Sequence, residues 1–302
     1  MKILVAGLGL IGGSVCKAIH AYTDHSVYGW NRSQETLRKA FAEHAIDGMI
    51  IDQDNLNYLN NPDYQQFRLI VNCLYPNLVR KWVLDRLDQF AEGTIIMDVS
   101  GVKNDLPEEL TRICAGKNIF YLSTHPMAGK ERAGYDVSDE GLFQGANFIM
   151  TPVERTPKHA IAEVQNFAHQ IGFRRFVITT PEMHDRMIAY TSQLAHVVSS
   201  AYVQSPVLEL ESGFSGGSFH DMTRVATMNP DMWTDLFMEN RTSLLQELEI
   251  LMANLQNYKD ALDQNDRNAV YELIRTGRTC KEQNLQNRRN APAVIDLRNK
   301  KI

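Results

Sequence analysis

Lys2-Ile3-Leu4-Val5-Ala6-Gly7-Leu8-Gly9-Leu10-Ile11-Gly12 is the stretch on which the fold turns. Its first five residues form a short apolar run of the kind that makes a buried strand, and the amphipathic segment Ile11 to Tyr22 follows as a helix. Between them lies GxGxxG, at the strand-to-helix junction where that pattern acquires a mechanism. Gly7 permits the tight turn, Gly9 lets the backbone approach a pyrophosphate, and Gly12 lets the helix pack against the strand. Gly7, Gly9, Leu10, Ile11 and Gly12 are therefore the candidate cradle of a nicotinamide dinucleotide, whose phosphates face the helix amides. A glycine-rich turn that holds no ligand is the competing reading.

Outward from this unit the alternation continues. Strands are expected at Ser26 to Trp30, Leu69 to Leu74, Thr94 to Val99, Ile119 to Thr124, Ala146 to Thr151 and Arg175 to Thr179, with helices such as Asn77 to Phe90 and Lys158 to Gln170 between them. This βαβ rhythm predicts an α/β fold, a Rossmann-type doubly wound, mostly parallel sheet over residues 1–180. After Thr180-Pro181 the pattern turns helical, so 181–302 is expected as an all-helical substrate-binding and dimerisation domain. One helix is expected from Glu182 to Gln204 and another from Met232 to Leu262. The second carries Trp233, Leu236, Phe237, Leu244, Leu248, Leu251 and Leu255 at helical spacing. A helix of about 30 residues spans about 45 Å, more than a small domain needs for its own core. Its apolar stripe is thus expected to meet a second copy, with an intramolecular bundle core as the alternative. The tail from Asn287 reads as a mobile end.

Composition narrows the class. Over 302 residues, 44% apolar and 22% charged residues suit an ordinary globular protein, and a net charge of -5 supplies no basic stripe for nucleic acid. Cys16, Cys73, Cys114 and Cys280 lie far apart without metal-ligand spacing, as reduced cytoplasmic thiols would. The apolar run after Lys2 superficially resembles a signal peptide, but its glycines fit a loop and helix, and no stretch reaches the ~18 residues of a membrane span. The expectation is a soluble cytoplasmic protein that uses no metal, nucleic acid or membrane.

At the end of the second strand an acidic residue would accept the ribose 2′-hydroxyl of NAD and repel a 2′-phosphate. The chain has Asn31-Arg32-Ser33 there, which removes the repulsion and adds a guanidinium and a hydroxyl. NADP is the expected cofactor, with NAD as the alternative and a solvated loop charge as the other reading of Arg32. Ser100 follows one strand and His125 another, at carboxyl ends where open sheets bind ligands. An imidazole there can act as a base near neutrality, and Ser100 can hold its tautomer by a hydrogen bond. Ser192 and His196 share a helical face, which also suits a purely structural pair. Arg224 suits a carboxylate, or equally a surface ion pair.

Taken together, GLGLIGGS, DVSGVK (98–103), HPMAGKE (125–131), SQLAH (192–196) and FHDMTRVATMNPDMW (219–233) resemble the prephenate/arogenate dehydrogenase (TyrA) family of tyrosine biosynthesis. Any one segment is weak, and five in this order over most of the chain are specific. The resemblance implies that His125 is the catalytic hydrogen-bond acceptor, oriented by Ser100. It also implies that Arg224 binds a substrate carboxylate, that His196 and Ser192 line the substrate pocket, and that Glu131 and Asp221 form a polar network with Arg224. The implied reaction is oxidative decarboxylation of prephenate to 4-hydroxyphenylpyruvate, or of arogenate, in a homodimer built by the helical domain. No segment resembles a fused chorismate mutase, and too little sequence follows Leu262 for an ACT domain. The Asn31-Arg32-Ser33 segment departs from the acidic residue of NAD-preferring members.

Two rivals remain open on the residues. A 3-hydroxyacid dehydrogenase of the 6-phosphogluconate type would share the first loop, but its helical catalytic lysine has no clear counterpart and His125 would be unexplained. A non-catalytic NADP-sensing protein would have no use for a base together with a carboxylate anchor.

Overall fold

A computed structural model of the chain describes residues 1–51, 62–130 and 132–300. Its strands are β1 (Lys2–Ala6), β2 (Ser26–Trp30), β3 (Gly48–Ile50), β4 (Leu69–Asn72), β5 (Ile95–Asp98), β6 (Phe120–Met127), β7 (Asn147–Thr151), β8 (Arg175–Ile178) and β9 (Val294–Asp296). Helices in the first half are α1 (Leu10–Tyr22), α2 (Gln34–Ala42), α3 (Pro76–Leu84), α4 (Leu106–Ala115) and α5 (Lys158–Gln170). The second half adds α6 (Pro181–Ile188), α7 (Leu194–Tyr202), α8 (Gly217–Thr223), α9 (Pro230–Glu239), α10 (Arg241–Asp263) and α11 (Arg267–Arg289).

Among the described residues one sheet runs in the order β3-β2-β1-β4-β5-β6-β7-β8-β9. From β3 to β6 every pairing is parallel, whereas β7 pairs with β6 antiparallel. The order reverses between β1 and β4, the switch point outside which ligands bind in open α/β sheets. Strict alternation splits β1 between two cores. Ile3 and Val5 face the core that Val15 and Ile19 of α1 and Val164 and Phe167 of α5 complete. Leu4 and Ala6 face the core of Val79, Trp82 and Val83 from α3 and Leu110 and Cys114 from α4. A strand covered on both faces has no polar positions, so Ile3 to Ala6 reads as one continuous apolar run after the exposed Lys2.

The chain divides into two compact units, Met1–His184 with Ala293–Ile302, and Asp185–Pro292. The second boundary differs from the expected single cut after residue 180, because the tail returns to the sheet. Residues 294–296, expected within a mobile end, form β9 beside β8, held by Phe176 N–H to Ala293 O at 2.8 Å and Leu297 N–H to Ile178 O at 2.8 Å. A run as short as Ala-Val-Ile-Asp carries too little periodicity to be read as a strand without its partner. The edge strand β3 escaped for the same reason.

The expected helix Met232 to Leu262 is two helices, broken at Asn240. This residue is buried, and its side-chain amide donates to Asp185 O at 2.8 Å and to Gln193 Oε1 at 2.8 Å. The segment expected as one helix from Glu182 to Gln204 is α6 and α7 joined by a π turn, Ala189–Gln193. The apolar stripe divides as well. Phe237, Leu244, Leu248 and Leu251 pack with Ala189, Leu194, Val197 and Val198 inside the unit, while Leu255 and Leu262 are exposed. Replacing Asn240 by Ala leaves Asp185 O and Gln193 Oε1 without that donor, and is expected to lower unfolding free energy by about 1–3 kcal/mol. Urea unfolding of the variant measures this; an unchanged midpoint contradicts it.

Candidate active site

The glycine loop has the shape its sequence requires. Gly7 sits at φ +95°, and a Cβ on it would lie 2.9 Å from Leu74 Cδ2 and 3.0 Å from the Cys73 carbonyl. A Cβ on Gly12 would lie 1.8 Å from Gly7 O, so only glycine lets α1 approach the turn this closely. Over Gly9 a Cβ would meet nothing within 4 Å, and Gly9 caps α1 with no side chain on the first-turn amides. Open space above uncapped helix amides fits a pyrophosphate. Leu10 and Ile11 open the helix half-buried.

Asn31 and Ser33 are used by the fold itself. Asn31 Oδ1 accepts from Leu8 N–H at 3.0 Å and its Nδ2 donates to Ser33 O at 3.2 Å, tying the end of β2 to the glycine loop. Ser33 Oγ caps α2 by accepting from Thr36 N–H. Arg32 makes no such contact among the described residues.

Ser100 and His125 lie on neighbouring strand ends. Asp98, the last residue of β5, pairs with Ser123 of β6, and each chain runs on from there. His125 does not follow its strand, as expected, but lies within it. β6 continues past the end of β5, with His125 opposite Ile149 of β7. Beneath the two, Lys103 Nζ donates to Ser100 O at 2.8 Å and Thr124 O at 2.7 Å and stands 3.4 Å from Asp98 Oδ1. Asp98 also accepts from Ser100 N–H at 2.7 Å and from the Tyr121 hydroxyl at 2.5 Å.

The expected hydrogen bond from Ser100 to the imidazole is not made: Ser100 Oγ is buried without a partner among the described residues. His184 takes that place, its Nε2 lying 3.0 Å from His125 Nδ1. This residue, on α6 and 1% exposed, had no signal in the sequence, since one histidine on a helix after Thr180-Pro181 resembles any other. Burial, with the His184 ring and the Lys103 ammonium, holds the His125 pKa well below the usual imidazole range.

In the second unit His196 Nδ1 lies 2.9 Å from Ser192 O, so the ring donates there. Ser192 belongs to the π turn, a feature that recurs at functional sites. The His196 ring stacks on Trp233 with centroids 3.7 Å apart and planes at 26°. Burial lowers its pKa, the hydrogen bond to Ser192 opposes this, and nearby Arg224 lowers it further. His196, Ser192, Trp233 and Arg224 are therefore brought together, and Trp233 joins the set although the sequence gave it a place in the apolar stripe and in the 219–233 motif but no site role. Asp221 is exposed, one turn before Arg224, and forms no ion pair with it among the described residues. Glu131 lies outside the described residues.

Comparison with known proteins decides the family. The prephenate dehydrogenase nucleotide-binding domain matches residues 15–177, and the prephenate dehydrogenase dimerization domain matches residues 180–276. The chain belongs to the prephenate dehydrogenase family. It is 26% identical to the prephenate dehydrogenase of Bacillus subtilis, over 98% of this chain and 79% of that protein. It is similar in structure to the arogenate dehydrogenase of Synechocystis, with a TM-score of 0.80, 26% identity and coverage of 94% and 99%. The prephenate dehydrogenase of A. aeolicus, solved with hydroxyphenyl propionate and NAD+, shares the fold with a TM-score of 0.82, 24% identity and coverage of 94% and 98%. The chain is accordingly an oxidoreductase of the nicotinamide-dependent class.

A depressed pKa has a defined sign. The folded state disfavours the His125 cation, so as pH falls through about 6.5 an unfolded histidine protonates first and native stability declines. In ¹⁵N-detected titration His125 is expected to remain neutral at pH 6.5. His184→Asn removes one of the repelling groups and should raise the midpoint, and a midpoint that stays or falls contradicts this account.

Proposed function

We propose that this protein oxidises prephenate to 4-hydroxyphenylpyruvate and CO2 with NADP as hydride acceptor, acting as a cytoplasmic homodimer. The carrying observation is the His125 imidazole, fixed within β6 with Nδ1 3.0 Å from His184 Nε2 and its pKa held down by burial, in a chain of this family. When held over Gly7, Gly9 and Gly12, a nicotinamide dinucleotide would supply a hydride acceptor for the ring carbinol carbon. His125 accepts the hydroxyl proton as that carbon becomes a carbonyl. Cleavage of the ring C–CO2⁻ bond then sends its electron pair into the ring, the carbonyl oxygen becomes a phenolate, and the proton returns to it. Protons balance across the two steps, and aromatisation drives the second. Because both the proton and the carboxylate leave from one small ring, positioning is the main demand. Arg224 is assigned to a substrate carboxylate, His196, Ser192 and Trp233 to the substrate pocket, and Asp221 and Glu131 to substrate binding. Ser100, whose buried hydroxyl has no partner among the described residues, is assigned a hydrogen bond to the substrate hydroxyl or to His125 once substrate is bound.

Arg32 supports NADP. With Asn31 and Ser33 committed to the loop and helix cap, the guanidinium is the group left to take a 2′-phosphate. Exposed Leu255, Leu262, Tyr271 and Ile274 on α10 and α11 support the dimer, and four unpaired cysteines support a reducing compartment.

NADPH formation with prephenate, with arogenate and with 3-hydroxyacids tests the reading, and turnover of neither cyclohexadiene ends it. His125→Asn should lower kcat by about 10²–10⁴-fold with little change in KM. Arg224→Ala should act chiefly on KM, by about 2–3 kcal/mol for a charge-assisted contact. Arg32→Ala should lower kcat/KM for NADP about tenfold or more while leaving that for NAD nearly unchanged, and equal losses with both cofactors would remove Arg32 from 2′-phosphate recognition.

A further inference from the structure

Lys103 is 1% exposed, and no other lysine or arginine among the described residues is buried. Taking an ammonium out of water costs several kcal/mol before any partner repays it. Two of its contacts are backbone carbonyls, Ser100 O and Thr124 O, which a neutral donor could satisfy at smaller cost. What a neutral donor could not supply is a fixed positive charge below the candidate base.

The connections around it are specific. Ser100 carries the unpartnered buried hydroxyl, and Thr124 directly precedes His125. Asp98 Oδ1 lies 3.4 Å from the ammonium and also accepts Ser100 N–H, while Thr124 Oγ1 donates to Asp98 O at 2.5 Å. One side chain thus spans the ends of β5 and β6 at the two positions to which the chemistry is assigned. Among the described residues the titratable groups facing His125 are His184, from α6, and Lys103, from the connection between β5 and α4. Its partner across β7 is Ile149, which has no charge to add.

We propose that Lys103 is a positioning residue of the reaction: its buried ammonium locks the strand ends bearing Ser100 and His125 into one frame and repels a second cation at His125. The proposal rests on the dehydrogenase reading above. Burial of His125 and repulsion from both neighbours act in the same direction, keeping the ring in the form that can accept a proton.

Lys103→Met, Lys103→Arg and the double variant Asp98→Asn/Lys103→Met test it. The His125 midpoint is read by ¹⁵N NMR, with the resonance assigned by its loss in His125→Asn, alongside the pH profile of kcat/KM and the cofactor Kd. Lys103→Met is expected to raise the His125 midpoint, to move the acid limb of kcat/KM to higher pH by the same amount, and to lower its plateau about tenfold or more. Cofactor Kd should change by less than about threefold, since the glycine loop is untouched. Lys103→Arg keeps the charge and should restore the midpoint even where turnover stays reduced. Should Lys103→Met fold poorly because Asp98 is left unpaired, the double variant removes both charges and is read the same way. A folded variant without the lysine in which His125 titrates as in wild type overturns the proposal, as does an Arg variant that does not restore the midpoint. If wild-type protein turns over neither cyclohexadiene, the functional reading fails, and the NMR midpoints still decide whether Lys103 acts on His125.

Discussion

Pairing of β6 with β7 is the constraint from which the geometry around His125 follows. β5 ends at Asp98, so beyond Ser123 the backbone of β6 loses its parallel neighbour, and buried backbone groups there must find partners elsewhere. β7 supplies them on one side by running antiparallel, Met150 to Asn147 against Thr124 to Met127. On the other side Lys103 Nζ takes Thr124 O. His125 is thereby held in a hydrogen-bonded strand instead of a loop, and a group on a rigid element keeps its geometry better than one on a flexible connection. A parallel β7 would have needed a crossover helix and a different register at this point.

The polar floor below the strand ends is worth having only if it is complete. Removing one partner of a buried ion pair costs about 3–5 kcal/mol, chiefly from the charge left behind. Burial pushes the Asp98 carboxyl up, but the Lys103 ammonium, the Tyr121 hydroxyl and the Ser100 amide together outweigh it and hold the group below the usual carboxylate range. Tyr121 responds in the opposite sense, raised by burial and by the adjacent carboxylate, so it stays a donor. Asp98 therefore adds stability above the ordinary carboxylate pKa of about 3.9 that is lost as pH falls through its own lower value. Charge is balanced in the floor while the ring above it is kept neutral.

How much of this could be read from the sequence depends on how far each signal reaches along the chain. KILVA and GxGxxG are local, since the apolar run, the positive φ at Gly7 and the packing of Gly12 on Gly7 O involve residues a few positions apart. The doubly wound order follows from such units repeating. Asn240 is legible only with Asp185 and Gln193 in view, because a polar residue in an apolar helix pattern normally faces solvent. β9 needed β8 beside it, and His184 needed His125, 59 positions away. Motif likeness reached Ser100 and His125 as individual positions but not their true contacts, and it gave the lysine in DVSGVK no role of its own, because its burial against Ser100 O and Thr124 O shows only in the fold.

Proton placement differs between the two histidine sites. A carbonyl can only accept, so the contact to Ser192 O puts the proton of neutral His196 on Nδ1 and leaves Nε2 as an acceptor. His125 has no such fixed partner, because either of the facing nitrogens, His125 Nδ1 or His184 Nε2, can carry the shared proton. Only one arrangement lets His125 take a proton from substrate: Nδ1–H must point to His184, leaving Nε2 with its lone pair. That in turn requires the His184 proton to sit on Nδ1, away from the pair. With the proton reversed, His125 would present an N–H to the substrate hydroxyl and could not act as its base. On the proposed reading of His125 as the base, the second histidine is part of it, since it decides which end of the first one is basic.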